Sequence, residues 1–388
     1  MEENNIIKQN IIKYILKNYD INENMITISI ENLEGITNQN FLVTVNNKSL
    51  NKILCKIFYR NYGKIYDIVD HNLEILIMKE LAIKGIGPKI YEVDINKKYR
   101  LDEYLDNTST LTSEDEFNPK ILDQIINIIE NYSSISNIYK YIIKDENISF
   151  NAIDNKNSKY KEINNNIFTK CMNNMLKIAE KKVKIFSEDY KNTYSKEDKK
   201  DGYNNLDKFV YYIKNFKKIF LKFFPSEGFF VLSHNDIHKL NILKRKDDNK
   251  LFLLDNEYAF FNLPGFDISN YLNESAFLYD NGYSFAKEKI DFDKYFEIYK
   301  IYIKKFIENH KFLNDSKFGK DFLNLIQTKK YYVQLHQISN LFWLLYCGIY
   351  LNFNNVKNNP NEYYYLHFIH RFQYVEIGEK FLSKYKLI

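Results

Sequence analysis

Val231-Leu232-Ser233-His234-Asn235-Asp236-Ile237-His238-Lys239-Leu240-Asn241-Ile242-Leu243 is an apolar run that breaks into a polar turn and then resumes. A second apolar run follows and ends in Leu253-Leu254-Asp255-Asn256-Glu257-Tyr258, on an acid where an ordinary strand would carry Val or Ile. The flanking runs Phe229 to Ser233 and Leu251 to Leu254 read as a hairpin. Three polar groups are delivered this way: Asp236, Asn241 and Asp255. Phosphoryl transfer from ATP needs such a set, with one carboxylate to orient the attacking hydroxyl and accept its proton. An amide and a second carboxylate then hold magnesium on the phosphates. The bland alternatives are a surface turn acid for Asp236 and a turn cap for Asn241, whereas Asp255 is hard to explain otherwise.

Length and composition set the frame. A chain of 388 residues exceeds one ordinary domain and has ample length for a core. Its 45% hydrophobic content, with 33 Tyr and 30 Phe, excludes global disorder. Fifty-five basic and 50 acidic side chains leave +5 with no basic block, which argues against a nucleic-acid partner. Only Cys55, Cys171 and Cys347 occur, too far apart for a disulfide framework or a zinc site. The start, Met1-Glu2-Glu3-Asn4-Asn5, lacks an apolar signal core, and Leu341 to Leu351 is too short to span a bilayer. A cytoplasmic protein without membrane insertion is expected. The oligomeric state stays open, with a homodimer allowed for.

Periodicity outlines the organisation. Ile7, Ile11, Ile12, Ile15 and Leu16 mark a helix over 6–18, and three strands follow at Met25 to Asn32, Asn40 to Val45 and Lys52 to Tyr59. A helix from about Asp67 to Lys84 is stopped by Gly85-Ile86-Gly87-Pro88, and two more strands are read at Lys89 to Val93 and Tyr99 to Tyr104. The remainder reads as mainly helical, over 119–142, 167–190, 204–223, 266–280, 291–311, 318–351 and 362–384. The polar, Asn-rich stretch 144–166 reads as a loop or insertion, and the charged linker 195–202 as surface. The expected fold is α+β with two lobes, residues 1–105 a small antiparallel nucleotide-binding sheet with one helix. Residues 106–388 form the helical part with the catalytic loop and the substrate pocket.

The interval from Asp236 to Asn241 equals that of the protein-kinase catalytic loop, yet the chain has no G-x-G-x-x-G, no V-A-I-K and no Asp-Phe-Gly. What it carries is His234-Asn235-Asp236, then Asp255-Asn256-Glu257-Tyr258, then Phe266-Asp267-Ile268-Ser269-Asn270-Tyr271-Leu272-Asn273-Glu274. This series resembles the choline/ethanolamine kinases, with their protein-kinase-like fold. Aminoglycoside-type phosphotransferases share the loop but usually place Gly between His and Asp, so Asn235 favours the choline/ethanolamine branch. Leu33-Glu34-Gly35-Ile36-Thr37-Asn38 looks like that family's phosphate-proximal turn, Leu54 to Phe58 like its cationic strand, and Asn340 to Tyr346 like its aromatic helix.

The resemblance implies roles. Asp236 is the base, with His234 buttressing the loop more than taking part in chemistry, and Asn241 and Asp255 hold Mg2+. Glu257, read as two residues further along the same strand and so on the same face, supports a second metal. Thr37, Asn38 and Lys56 meet the ATP phosphates, and Glu74 holds Lys56; an ordinary hairpin turn and a surface lysine are the bland alternatives. Lys56 stands where the family usually has Arg, which keeps the charge but loses the bidentate fork. Glu274, Tyr279, Trp343 and Tyr346 surround the ammonium end of a small amino alcohol, although Trp343 as core packing stays open. Each aromatic face is worth about 1 to 2 kcal/mol to a desolvated quaternary ammonium. Tyr346 replaces a family Trp and His367 a family Tyr, and this thinner cage tips the reading towards ethanolamine over choline. Another small alcohol as substrate, or a non-catalytic binding module, remain the alternatives.

Overall fold

The computed structural model describes residues 2–33, 38–62, 71–135, 229–278, 284–350 and 363–386. The helices expected over 167–190 and 204–223, the loop 144–166, the linker 195–202, and the site residues Thr37 and Tyr279 lie outside them. The chain divides into two compact units, Met1–Leu111 with Leu240–Ala259, and Thr112–Lys239 with Phe260–Ile388.

In the first unit, helix α1 (Glu2–Asn18) precedes strands β1 (Ile26–Leu33), β2 (Gln39–Asn47) and β3 (Lys52–Asn61). Helix α2 (His71–Ile83) and strands β4 (Ile90–Asp94) and β5 (Tyr99–Glu103) complete an antiparallel sheet of order β1-β2-β3-β5-β4. The expected five-stranded sheet with one inserted helix is present. Strand alternation gives it two different faces. On one, Val43, Val45, Ile57, Tyr59, Tyr99 and Leu101 form a single core with Ile7, Ile11, Tyr14 and Ile15 of α1. On the other, Lys56, Phe58 and Arg60 of β3 lie beside Arg100 and Asp102 of β5, with Arg60 directly opposite Arg100 and Phe58 opposite Asp102.

Helix α2 ends in a Schellman turn. Ile86 N–H bonds Leu81 O at 2.9 Å and Gly85 N–H bonds Ala82 O at 3.0 Å. Gly85 has φ +68°, which a side chain would resist. Just beyond, Leu253 N–H bonds Ile86 O at 2.8 Å and ties the second apolar run to this turn.

That run is paired differently from the expectation. Leu251–Leu253 pairs with Ile242–Arg245, which also pairs with β6 (Thr108–Thr110), whereas Val231–Ser233 pairs with Phe260–Asn262. The hairpin of 229–233 with 251–254 is therefore overturned. Both runs are apolar and their alternation does not choose a partner, but the tight turn Lys246–Asn249 closes the Ile242–Arg245 pair, with Arg245 N–H on Lys250 O at 2.9 Å.

In the second unit, α3 (Pro119–Ser133) starts on an Asn118 cap that accepts Lys120 N–H at 3.0 Å, with Pro119 at its first position. The long pattern read over 318–351 is two helices, Lys317–Ile326 and Lys329–Tyr350, and that over 266–280 ends as a helix at Glu274. Helices Phe292–Asn309 and Tyr363–Lys384 follow the reading closely. Gly265, with φ +88°, leads into helix Phe266–Glu274, and a Cβ there would stand 2.5 Å from the Tyr299 ring. Backbone and packing both demand glycine at that entry. Among the described residues no helix is long and apolar enough to cross a membrane.

Candidate active site

The loop bearing Asp236 is locked in the second unit by one carboxylate. Asp267, in the first turn of helix Phe266–Glu274, accepts His234 N–H at 2.8 Å and Asn235 N–H at 2.9 Å. Asn235 lies in the left-handed region with φ +66°, which Asn tolerates better than most residues. Its side chain donates to Phe260 O at 3.3 Å and accepts from Asn262 Nδ2 at 2.9 Å. His234 is fully buried, edge-on to Tyr132, and its Nδ1 receives Asp236 N–H at 3.3 Å. The imidazole thus holds the loop, while the Asp236 side chain keeps part of its surface in solvent, with His238 Nε2 3.6 Å away. Burial pushes the Asp267 carboxyl up to about 6, against the pull of the two backbone N–H groups.

Helix Phe266–Glu274 also ends on Glu274, one of the residues expected to face an ammonium group. Glu274 is buried and accepts Arg371 Nη2 at 2.5 Å. The Arg371 guanidinium lies 3.9 Å over the Phe277 ring and 5.9 Å from the Trp343 ring, and its Nη2 is 3.3 Å from His367 Nε2. Trp343 Nε1 donates to Asn270 Oδ1 at 2.8 Å. Tyr346 lies within helix Lys329–Tyr350. Sequence reasoning gave Arg371 no role; a buried charge cannot be seen in a sequence, but an Arg among the aromatic residues of this helix, Tyr363–Lys384, is its trace.

In the first unit, Asn241 and Asp255 stand at the same end of the Ile242–Leu253 pair, where Leu254 N–H bonds Asn241 O at 2.9 Å. Asp255 has φ +61° and opens a 3-10 turn, Asn256–Tyr258, so Glu257 is not on a strand face shared with Asp255. That expectation is corrected. The Glu257 carboxyl is buried and accepts Asn38 Nδ2 at 2.7 Å. Burial and the neighbouring Asp255 raise its pKa, against the pull of Arg60.

The cation expected to pair with Glu74 is also different. Lys56 Nζ lies 2.5 Å from Asp106 Oδ1, which raises its pKa, and does not meet Glu74. Glu74 instead accepts Arg100 Nη1 at 2.5 Å, with His71 Nδ1 at 3.2 Å and Arg60 Nη1 at 4.0 Å. Burial would raise the Glu74 pKa, but Arg100, His71 and Arg60 hold it down to about 2. Arg100 in turn bonds both Asp102 oxygens at 2.9 Å through Nε. Two like charges, Arg60 and Arg100, are opposite each other on adjacent strands, and Glu74, Asp102 and Asp255 compensate them. Sequence reasoning missed Arg60 because the strand was ended at Tyr59. The available signal was a second cation on the Lys56 face.

The donor chemistry suits magnesium. Asn241 and Asp255 offer hard oxygens of the kind that magnesium takes, one or two from the protein with phosphates and water completing the shell.

Comparison with known proteins identifies the fold and the family. The chain resembles the crystal structure of a choline kinase from Cryptosporidium parvum with TM-score 0.62 at 19% identity, covering 98% of each chain. An ethanolamine kinase from Plasmodium vivax superposes with TM-score 0.56 at 18% identity, over 94% of this chain and 85% of that one. A probable ethanolamine kinase from Arabidopsis thaliana is 42% identical over 59 residues, 15% of this chain and 16% of that protein's length. The folds in common are protein-kinase-like. The choline/ethanolamine kinase family model matches residues 30–382, which take in every site segment described above, and the chain belongs to that family.

Proposed function

We propose that this protein transfers the γ-phosphoryl group of ATP to the hydroxyl of ethanolamine, with choline the poorer substrate, and so supplies phosphoethanolamine for phospholipid head groups. The observation that carries the reading is the Asp267 clamp on His234 and Asn235, which fixes the backbone on which Asp236 is presented while leaving its carboxylate in reach of solvent. Asp236 orients the hydroxyl and takes its proton as the oxygen–phosphorus bond forms and the bond to the β-phosphate oxygen breaks, releasing ADP. Asn241 and Asp255, with Glu257 in support, would hold magnesium, which when bound neutralises charge on the phosphates. Asn38, Thr37 and Lys56 serve the phosphate end, and Glu74 serves it through its buried arginines rather than through Lys56.

Ethanolamine is favoured because a primary ammonium wants acceptors, whereas choline wants open aromatic faces. The face of Phe277 is covered by Arg371, and His367 puts a buried imidazole where the family has a phenol. Glu274, Trp343, Tyr279 and Tyr346 are assigned to the ammonium end. Measuring ADP release with magnesium, ATP and each alcohol tests the proposal. A higher kcat/KM for ethanolamine than for choline is expected; turnover of neither refutes the kinase reading, and preference for choline refutes the substrate assignment.

A further inference from the structure

Asn270 is fully buried on helix Phe266–Glu274 and its amide is used at both ends. Oδ1 accepts Trp343 Nε1 at 2.8 Å and Ser339 Oγ at 2.7 Å, and Nδ2 donates to Ile237 O at 3.2 Å. These partners fix which end is which: an indole N–H can only donate and a carbonyl can only accept. Ile237 follows Asp236 directly, so the loop is held through its N–H groups by Asp267 and through a carbonyl by Asn270. The two side chains are three apart on one helix and share a face, and Glu274 follows at the next turn. A single amide therefore joins the backbone behind the proposed base to the indole proposed to flank the ammonium.

Resting on the kinase reading above, we infer that Asn270 is a positioning residue that sets the span between Asp236 and Trp343, and thereby selects amino alcohols with two carbons between hydroxyl and ammonium over those with three. A rigid amide bridge suits this task because rotating it would leave buried donors and acceptors unpaired.

The test compares ethanolamine with 3-amino-1-propanol in the full-length wild type and in Asn270→Asp. The carboxylate keeps the acceptor for Trp343 and Ser339 but cannot donate to Ile237, so the loop loses its hold while the indole keeps its own. In the variant, kcat for ethanolamine should fall about tenfold with KM changed less than about threefold, because misplacement of a reacting group acts on the chemical step. The wild-type preference for the shorter alcohol should shrink at least about fivefold. A purely structural role would lower the active fraction and slow both alcohols alike, leaving their ratio unchanged, and that result overturns the inference. Trp343 is the only tryptophan of the chain, so its fluorescence reports the indole site without turnover. Its emission maximum should stay at the wild-type position in Asn270→Asp and shift in Asn270→Ala, which removes the acceptor; an unshifted maximum in Asn270→Ala also overturns the inference. If Asn270→Asp does not fold, Ser339→Ala, which deletes one bond to the same oxygen, decides by whether the ratio of the two alcohols moves. A wild type that phosphorylates neither alcohol fails the kinase reading instead, whereas an active wild type with an unmoved ratio fails only the positioning role.

Discussion

Arg60 Nη1 donates to Asp255 Oδ1 at 2.8 Å, linking a sheet strand to the acid that closes the second apolar run. Burial opposes the charge of Arg60, but Asp255, Glu257 and Glu74 more than offset it, and the guanidinium pKa rises. Asp255 sits at φ +61°, a left-handed setting that Asp adopts more readily than most residues, and Arg60 engages its carboxylate there.

Replacing Arg60 by Met should therefore be costly. Removing one partner of a buried pair typically costs about 3–5 kcal/mol, and the partial exposure of Asp255 places this case near about 2–3 kcal/mol. Arg60→Lys, which keeps charge without the fork, should fall between. Urea denaturation of the three proteins measures this. An Arg60→Met protein within about 0.5 kcal/mol of wild type would show that the pair contributes nothing.

Asp236→Ala should abolish the proposed proton acceptor and leave nucleotide binding nearly intact. Loss of a general base lowers kcat by roughly a hundred- to ten-thousandfold, while ATP affinity by calorimetry should stay within a few-fold, since the lost contact acts in the transition state. Wild-type-like turnover in this variant removes Asp236 from the mechanism.

Asp267 offers a different signature, because its two accepted N–H bonds need two acceptor oxygens. Asp267→Asn turns one oxygen into a donor facing a backbone donor, so kcat should fall with a stability loss of about 2 kcal/mol. Burial lifts the wild-type carboxyl to about 6, and the Tyr302 hydroxyl is its titratable neighbour. Below that pH a proton occupies one acceptor and the clamp weakens, so kcat should drop as pH falls through 6. Stability moves the other way for this group. Its folded pKa is raised above the ordinary carboxylate value, so its contribution is most favourable at low pH and is lost as pH rises through about 6. A pH–kcat profile of Asp267→Asn that retains the same acid limb assigns that limb to another group.

Much of this was legible from pattern. The β1–β5 sheet followed from alternation and turn residues, α2 and its stop from Gly85, and the Asp236 loop from a polar break between apolar runs. Strand partners were not legible near that loop: Val231–Ser233 and Leu251–Leu253 are equally apolar, and the tight turn at Lys246–Asn249 decided the pairing. Nor did residues 240–259 announce that they pack with Met1–Leu111. Ion pairing was the least legible. Lys56 and Arg60 share a strand face, and only tertiary burial separates the exposed partner of Asp106 from the buried partner of Asp255. Asp267 and Asn270 stood in a recognised motif, but a motif gives residue types and not the backbone groups they hold.

Glu130 on α3 gives a test of buried charge outside the site. It accepts Asn309 Nδ2 at 2.9 Å, and burial lifts its pKa to about 7, against the pull of Asn309, Lys305 and Tyr302. The folded carboxyl therefore keeps its proton to about 7 while the unfolded one releases it near 4.5. Between those values the unfolded chain binds fewer protons, so stability falls as pH rises through the window and stays reduced above it. Glu130→Gln keeps the acceptor for Asn309 and removes the charge, so it should be more stable than wild type by about 1–2 kcal/mol at pH 8 and nearly equal at pH 5. Urea unfolding at the two pH values decides it: a variant that keeps the wild-type pH slope, or is less stable than wild type at pH 8, means that Glu130 is charged without penalty in the folded protein.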